Sequence, residues 1–571
     1  MFVLNEDFGV FADTQALWIT ENIYMRILLW ICHISALIIF QTAMISLFGQ
    51  RLVDRFRLQL GFHREVYIIK GGDKNAVILG ENIATQDNPK SSADPKRLIV
   101  FLLEEEDDAE KFRKKINHFG GIARVLDRNH DIKYQLNMAR LGNNWLLPAK
   151  KYKIILMSQN ASVADEAHHI ANLASDKNVP SENLDIFAFV SSEWEREKIE
   201  NLTQKKNEEK PKYQYTFHIV NEVDLLIRRM IENHPPFACP GLNFSNGKAA
   251  RSFCVLIIGF GTVGQSALLR LIMNGQFVGG KMCAIVVDKN INDLKDCFLH
   301  RYPSLQISCD IDFRDYDVQC DKFFGLLNAT ENIDYVVTAL NSDELNKRTA
   351  QDVQLHYERN GKILPFIAIS EKNGFQHENE ENPFVFGCRE EIYKHSVIIR
   401  EENDRMAKAM NKFYKEKYGG VDWHELSWFK QESNRASTDF ISAMLYLVDP
   451  KLNAEEAAKM QAIAEGDLEE TLSETEHIRW NAFHVAMGYR LMNIDEMRQR
   501  FEKTKNPKKA SQDEQAKLHV CLVSWYELDA VSEAYKKLQS LANEEPTHDY
   551  KNNDRDIIKY IPEILQKMEE K

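Results

Sequence analysis

The sequence predicts an α/β protein: one N-terminal transmembrane helix, two tandem doubly wound parallel domains, and a C-terminal, mainly α-helical domain. Three observations carry that prediction. Residues 27–48, "ILLWICHISALIIFQTAMISLF", contain no charge; the order strand, glycine turn, helix, acid-ended strand occurs twice, opening at Val66 and at Cys254; and the last third of the chain is charged and helix-patterned.

A chain of 571 residues exceeds one hydrophobic core, and about 150 residues per domain gives roughly three to four units. The net charge of -13 argues against a nucleic acid polymer as partner, since phosphate neutralisation needs a basic face. The nine cysteines include no CxxC pair and no zinc-like spacing, and read as reduced cytosolic thiols.

The first 22 residues carry Glu6, Asp7, Asp13 and Glu21 and no basic residue, unlike a secretory signal. Residues 1–26 are expected outside the cytoplasm, 27–48 as the span, and 49–63 as a linker. A buried core helix competes for the run, but Arg51, Arg55, Arg57 and Arg64 follow it and only Arg26 precedes it. That asymmetry places the bulk of the chain in the cytoplasm of a cell whose inner membrane holds the span. Ser35, Thr42 and Ser46, spaced seven and four, form a small polar stripe that suits helix–helix association, hence a homo-oligomer. One span encloses no pore and no TVGYG-like filter occurs, so copies assemble or an upstream part is missing.

Residues 64–237 read as the first doubly wound domain. "VYII" is its first strand, "RLIVFLLEEEDD" ends in Glu104 and Glu105 where a ribose-binding acid belongs, and apolar runs at 153–159, 185–191 and 215–220 continue the sheet. With Gly72 as the middle glycine of a GxGxxG turn, Lys70 and Asn75 replace its neighbours, and a purely structural domain is expected. Residues 221–236 form a helix stopped by Pro-Pro, and a Gly/Asn/Ser-rich linker follows.

Residues 251–400 repeat the pattern with an intact motif. Cys254 to Ile258 is the strand, Gly259, Gly261 and Gly264 form GxGxxG with Thr262 and Val263 between them, and "CAIVVDKN" delivers Asp288. The glycines let backbone amides and a helix N-terminus face a pyrophosphate, while Asp288 suits ribose hydroxyls. NAD(H) or ATP/ADP is the expected ligand; an inherited turn without ligand is the other reading. The duplicated plan is a tandem repeat, and "DYVVTAL" and "KILPFIAIS" supply a fourth and a fifth strand.

A membrane helix followed by two such units resembles the RCK (regulator of potassium conductance, TrkA-N) assembly of ligand-gated potassium channels, over roughly residues 27–400. The GFGTVG turn and Asp288 carry most of that resemblance, together with the helix closed by "HPP". It implies a tetrameric, membrane-bound assembly gated by a small nucleotide.

Residues 401–465 read as a helical connector in which "WHELSWFKQESNRASTDFI" (423–441), centred on Ser433, Asn434 and Arg435, resembles a segment that accompanies TrkA-N/RyR fusions. Residues 466–571 resemble the RyR domain, a helical module named for its repeats in ryanodine receptors. Glu476, His477, Arg479, Trp480, Gly488 and Tyr489, then Lys517, His519, Leu522, Val523, Glu527 and Leu528, match it. Tyr489 stands for the usual Trp, Leu491 and Met492 for Tyr-Gly, and Val520 for Pro. Bacterial RyR modules look like binders of nucleotide second messengers, including cyclic dinucleotides of anti-phage defence. The resemblance therefore implies a pocket at His477, Arg479, Trp480, Tyr489, Lys517 and His519. Spacing alone puts His477, Trp480 and His484 on one helix face, which serves a stacking pocket or simply a helix core.

No GxSxG, HExxH, Walker A or CxxC signature occurs, His168-His169 lacks partners at ligand spacing, and "EEEDDAE" (104–110) reads as a helix start. No catalytic residue and no metal ligand is expected. The sequence thus predicts a ligand-gated membrane protein resembling the gating part of a potassium channel. A non-conducting membrane-anchored nucleotide sensor or defence effector is the alternative, and an NAD-dependent oxidoreductase a further one.

Overall fold

Short apolar runs buried on both faces suit parallel sheets covered by helices on each side, and the chain builds two of them. The computed structural model describes residues 23–44, 65–371 apart from 89, 95, 105, 126–150, 158–161, 177–178 and 210–214, and 381–569. The N-terminal acids, Ser46, the linker arginines and Glu105 lie outside the described residues.

The first sheet contains β1 (Glu65–Lys70), β2 (Arg97–Leu103), β3 (Ile122–Val125), β4 (Lys151–Leu156), β5 (Leu184–Phe189) and β6 (Thr216–Val220), in the order β3-β2-β1-β4-β5-β6. A two-stranded hairpin of β7 (Phe244–Ser245) and β8 (Lys248–Ala249) precedes the second sheet. That sheet is built from β9 (Cys254–Ile258), β10 (Met282–Val287), β11 (Cys309–Arg314), β12 (Tyr335–Thr338), β13 (Phe366–Ser370) and β14 (Phe384–Phe386), in the order β11-β10-β9-β12-β13-β14. The two orders are the same doubly wound order, so the repeat expected from the glycine turns extends to the whole topology. β14 adds a sixth strand to the expected five; three residues are too short a run to announce themselves.

Strand alternation distributes the core of the second sheet. Val255 and Ile257 face one cluster, Leu256 and Ile258 the other. The second cluster is closed by Phe323 and Leu327 of one helix (Asp321–Ala329) and by Ala350, Val353 and Tyr357 of another (Asp343–Arg359). The first cluster continues through Leu268 and Leu271 into Met410, Met444, Leu472, Val485 and Ile561. The helical C-terminal part therefore shares one apolar core with the second sheet.

Helices needed below are α1 (Ile23–Met44), α2 (Lys74–Thr85), α3 (Val163–Asp176), α4 (Glu193–Glu209), α5 (Glu222–Asn233), α6 (Thr262–Asn274), α7 (Arg405–Tyr418), α8 (Trp428–Asp439), α9 (Asp467–Ala486) and α10 (Lys551–Glu569). The chain divides into two compact units. One comprises residues 1–76, 92–187 and 206–215; the other comprises 77–91, 188–205 and 216–571. The second unit thus takes in most of α2, tied down where Asn82 donates to the Tyr393 carbonyl at 2.8 Å and Asp87 accepts from the backbone N–H groups of His395 and Ser396.

Among the described residues no helix is long and apolar enough to cross a membrane. α1 stands where the span was expected, and Ile27, Leu28, Ile31, Ile38, Ile39 and Phe40 on it are more than half exposed. Residues 45–48, the end of the expected span, lie outside the described residues.

Candidate functional site

The intact turn follows β9 directly. Gly259 has φ +92°, and a Cβ there would stand 2.6 Å from the Ala339 carbonyl oxygen; a Cβ on Gly264 would meet the Gly259 oxygen at 1.9 Å. The fold's own packing therefore requires both glycines. Gly261 differs: its φ is -72° and a Cβ would meet nothing within 4 Å. It is exposed, and it caps α6 without any side-chain hydrogen bond, so the N–H groups of the first turn, at Thr262, Val263 and Gly264, keep their open side. Asp288 holds the turn, accepting from the Phe260 N–H at 2.8 Å and the Asn290 N–H at 2.7 Å. A carboxylate has further lone pairs for a ribose.

Register corrects the reading of the first turn. Gly71 N–H donates to the Leu102 carbonyl as Gly259 N–H does to that of Val287, and α2 and α6 each begin three residues later. Gly71, not Lys70, is therefore the first position, Asp73 the middle one, Ala76 the last. Asp73 accepts from the Ala76 N–H at 2.8 Å, placing its own carboxylate where a phosphate would sit. Leu103 is the counterpart of Asp288. Glu104 stands 3.7 Å from Lys70, which is buried and also paired with Glu166 of α3. Burial raises the Glu166 pKa and the Lys70 ammonium opposes it.

A cavity of about 460 Å³ lies in the second unit along the face of α6 from Thr262 to Met273. Its wall includes Glu193, Arg196, His218, Arg301, Tyr302, Glu401 and Trp428. Arg196 stacks over the Trp428 ring at 3.9 Å, and burial pushes the Tyr302 hydroxyl up to about 12, so it remains a neutral donor. Beneath runs an alternating chain of ions. Asp224 of α5 binds Arg270 of α6, which donates to Glu432 of α8 at 2.7 Å; Glu432 accepts from Arg435, Arg435 donates to Asp404, and Arg228 joins Asp404 to Asp439. Burial would raise Glu432, but Arg270 and Arg435 override it and hold the carboxyl low. Each charge is thus paired, as burial demands. Arg270 is buried, and its Nη1 has no hydrogen-bond partner.

The six residues expected in the C-terminal pocket are placed differently from one another. Arg479 is fully buried, with its Nε and one Nη each donating to Glu476 at 2.7 Å. His477 pairs with the Val523 carbonyl at 2.9 Å and lies 3.3 Å from Asp554 of α10. Trp480 packs on His484 at 3.8 Å and His519 at 4.8 Å between two apolar clusters, and Tyr489 stacks on Phe429. Burial, then His477, lowers His519 to about 3, keeping it neutral. Four of these five are buried and Trp480 is partly buried, so they pack mainly against one another and the surrounding clusters. Lys517, partly exposed, lies 3.8 Å from Glu193, a residue of the cavity wall.

The sequence reading missed the cavity and the ion chain. Their residues come from segments near 193, 218, 270, 301, 401 and 432, which no linear spacing connects. Thr262 of the glycine turn and the buried Arg435, singled out with Ser433 and Asn434, are the residues named from the sequence that line the cavity. No protein-family model matches the chain, and no curated protein matches it.

Proposed function

We propose that this chain is a ligand sensor whose second unit binds a phosphate-bearing nucleotide along α6. The observation that carries the reading is the cavity of about 460 Å³ on the helix that follows the open glycine turn. That size suits a small-molecule ligand. Phosphate would meet the N-terminal amides after Gly261, and the Arg196–Trp428 pair would serve as a further anion and ring contact. NAD(H), ATP/ADP and a cyclic dinucleotide are the candidate ligands.

The resemblance to RCK and RyR modules, together with the exposed apolar side chains of α1, supports the wider reading: a membrane-bound homo-oligomer, tetrameric as in such channels, in which ligand binding biases the gating part. Differential affinity for two arrangements supplies the energy. A non-conducting anchored sensor shares every feature except ion flux from liposomes, which separates the two.

The test is calorimetric titration of the full chain in detergent with NAD, NADH, ATP, ADP and cyclic dinucleotides, in wild type, Gly261→Val and Ser266→Phe. The open space at Gly261 predicts a Val variant stable to within about 0.5 kcal/mol. Ser266 lines the cavity, and Ser266→Phe fills it. Affinity falls at least about tenfold in both if one ligand spans turn and cavity. A ligand bound equally well by all three proteins would overturn the reading.

A further inference from the structure

We infer that His218, Glu401 and His424 form a binding site for a divalent first-row transition ion at the wall of the cavity. One ligand atom from each lies within 4.8 Å of the other two. His218 on β6 places Nδ1 2.5 Å from Glu401 Oε1, and the His218 and His424 rings are 5.7 Å apart and steeply inclined. Zinc holds such ligands at about 2.0–2.2 Å, which sets ligand atoms about 3.3 Å apart around a tetrahedron. Small side-chain rotations therefore close the site.

Two imidazoles and one carboxylate select zinc, cobalt or nickel; calcium and magnesium require oxygen shells. Glu401 has φ +51°, a left-handed conformation uncommon outside glycine. Its second oxygen accepts from the Lys408 ammonium at 2.8 Å, the kind of outer contact that orients a ligating carboxylate. A Glu carboxylate supplies an anionic oxygen ligand beside the two imidazoles.

Three protein ligands leave at least one coordination position. Because His218 and Glu401 line the cavity, that position is available to water or to an oxygen of whatever enters. The ion would also tie together three segments that are remote in sequence, at 218, 401 and 424. This inference goes beyond the nucleotide reading and does not depend on it.

The experiment uses the metal alone. The full chain in detergent, freed of metal, is titrated with cobalt(II) while visible absorption is followed, then competed with zinc(II). One cobalt per chain is expected, with the d–d bands of nitrogen and oxygen ligation and without thiolate charge-transfer bands. His424 is exposed, so His424→Ala leaves the fold intact and should weaken binding at least about tenfold. His218→Asn should act alike. Absence of cobalt binding, binding with thiolate bands, or binding unchanged in His424→Ala would each overturn the site.

Discussion

Asp73 and Gly261 occupy equivalent positions after the first strands of the two sheets, and the difference decides what each turn can hold. Asp73 satisfies its own helix start and brings a negative charge there; Gly261 leaves the same amides open. His519 shows the other side of residue-level control. Its folded pKa of about 3 lies below the unfolded value of about 6.5, so its contribution to stability is present above pH 6.5 and lost as pH falls toward 3. Between pH 7.5 and 5.5 that amounts to about 1.4 kcal/mol. Thermal unfolding at the two pH values should show a smaller loss in His519→Asn than in wild type. Equal losses would mean that His519 is protonated in the folded chain.

At the scale of elements, α5, α6 and α8 are joined by charge as well as by apolar contact. Arg435 bonds both Glu432 and Asp404, and those acids bond Arg270 and Arg228 in turn. Removing one member of such a chain strands buried carboxylates. Arg435→Met is expected to destabilise the protein by about 3–5 kcal/mol in denaturant unfolding. A loss under about 1 kcal/mol would show that water reaches the chain and screens it.

For the molecule as a whole, the expected boundaries at 400 and 466 do not separate cores. One apolar cluster runs from Ile227 through the second sheet to Leu565, and α6 packs directly on α9. A chain ending at residue 400 would expose the sheet face that Met410, Met444 and Ile561 cover. It is expected to aggregate or to lack a cooperative thermal transition, whereas the full chain is expected to show one for this unit. A soluble, cooperatively unfolding fragment would instead restore the C-terminal part as a separate domain.

The sequence by itself determined what short-range chemistry decides. Apolar runs bounded by glycines specified two parallel sheets, and the requirement for φ above zero at Gly259 marked the turn of the second. The same evidence misplaced the first turn by one residue, because the choice between Lys70 and Gly71 rests on which amide meets Leu102 across the sheet. Packing decided the rest. Whether Arg479 faces a ligand or Glu476, and whether His218, Glu401 and His424 meet at all, depends on how segments as far apart in sequence as His218 and His424 are brought together by a shared apolar core. No local spacing encodes that approach, since it is the burial of remote side chains against one another that sets it.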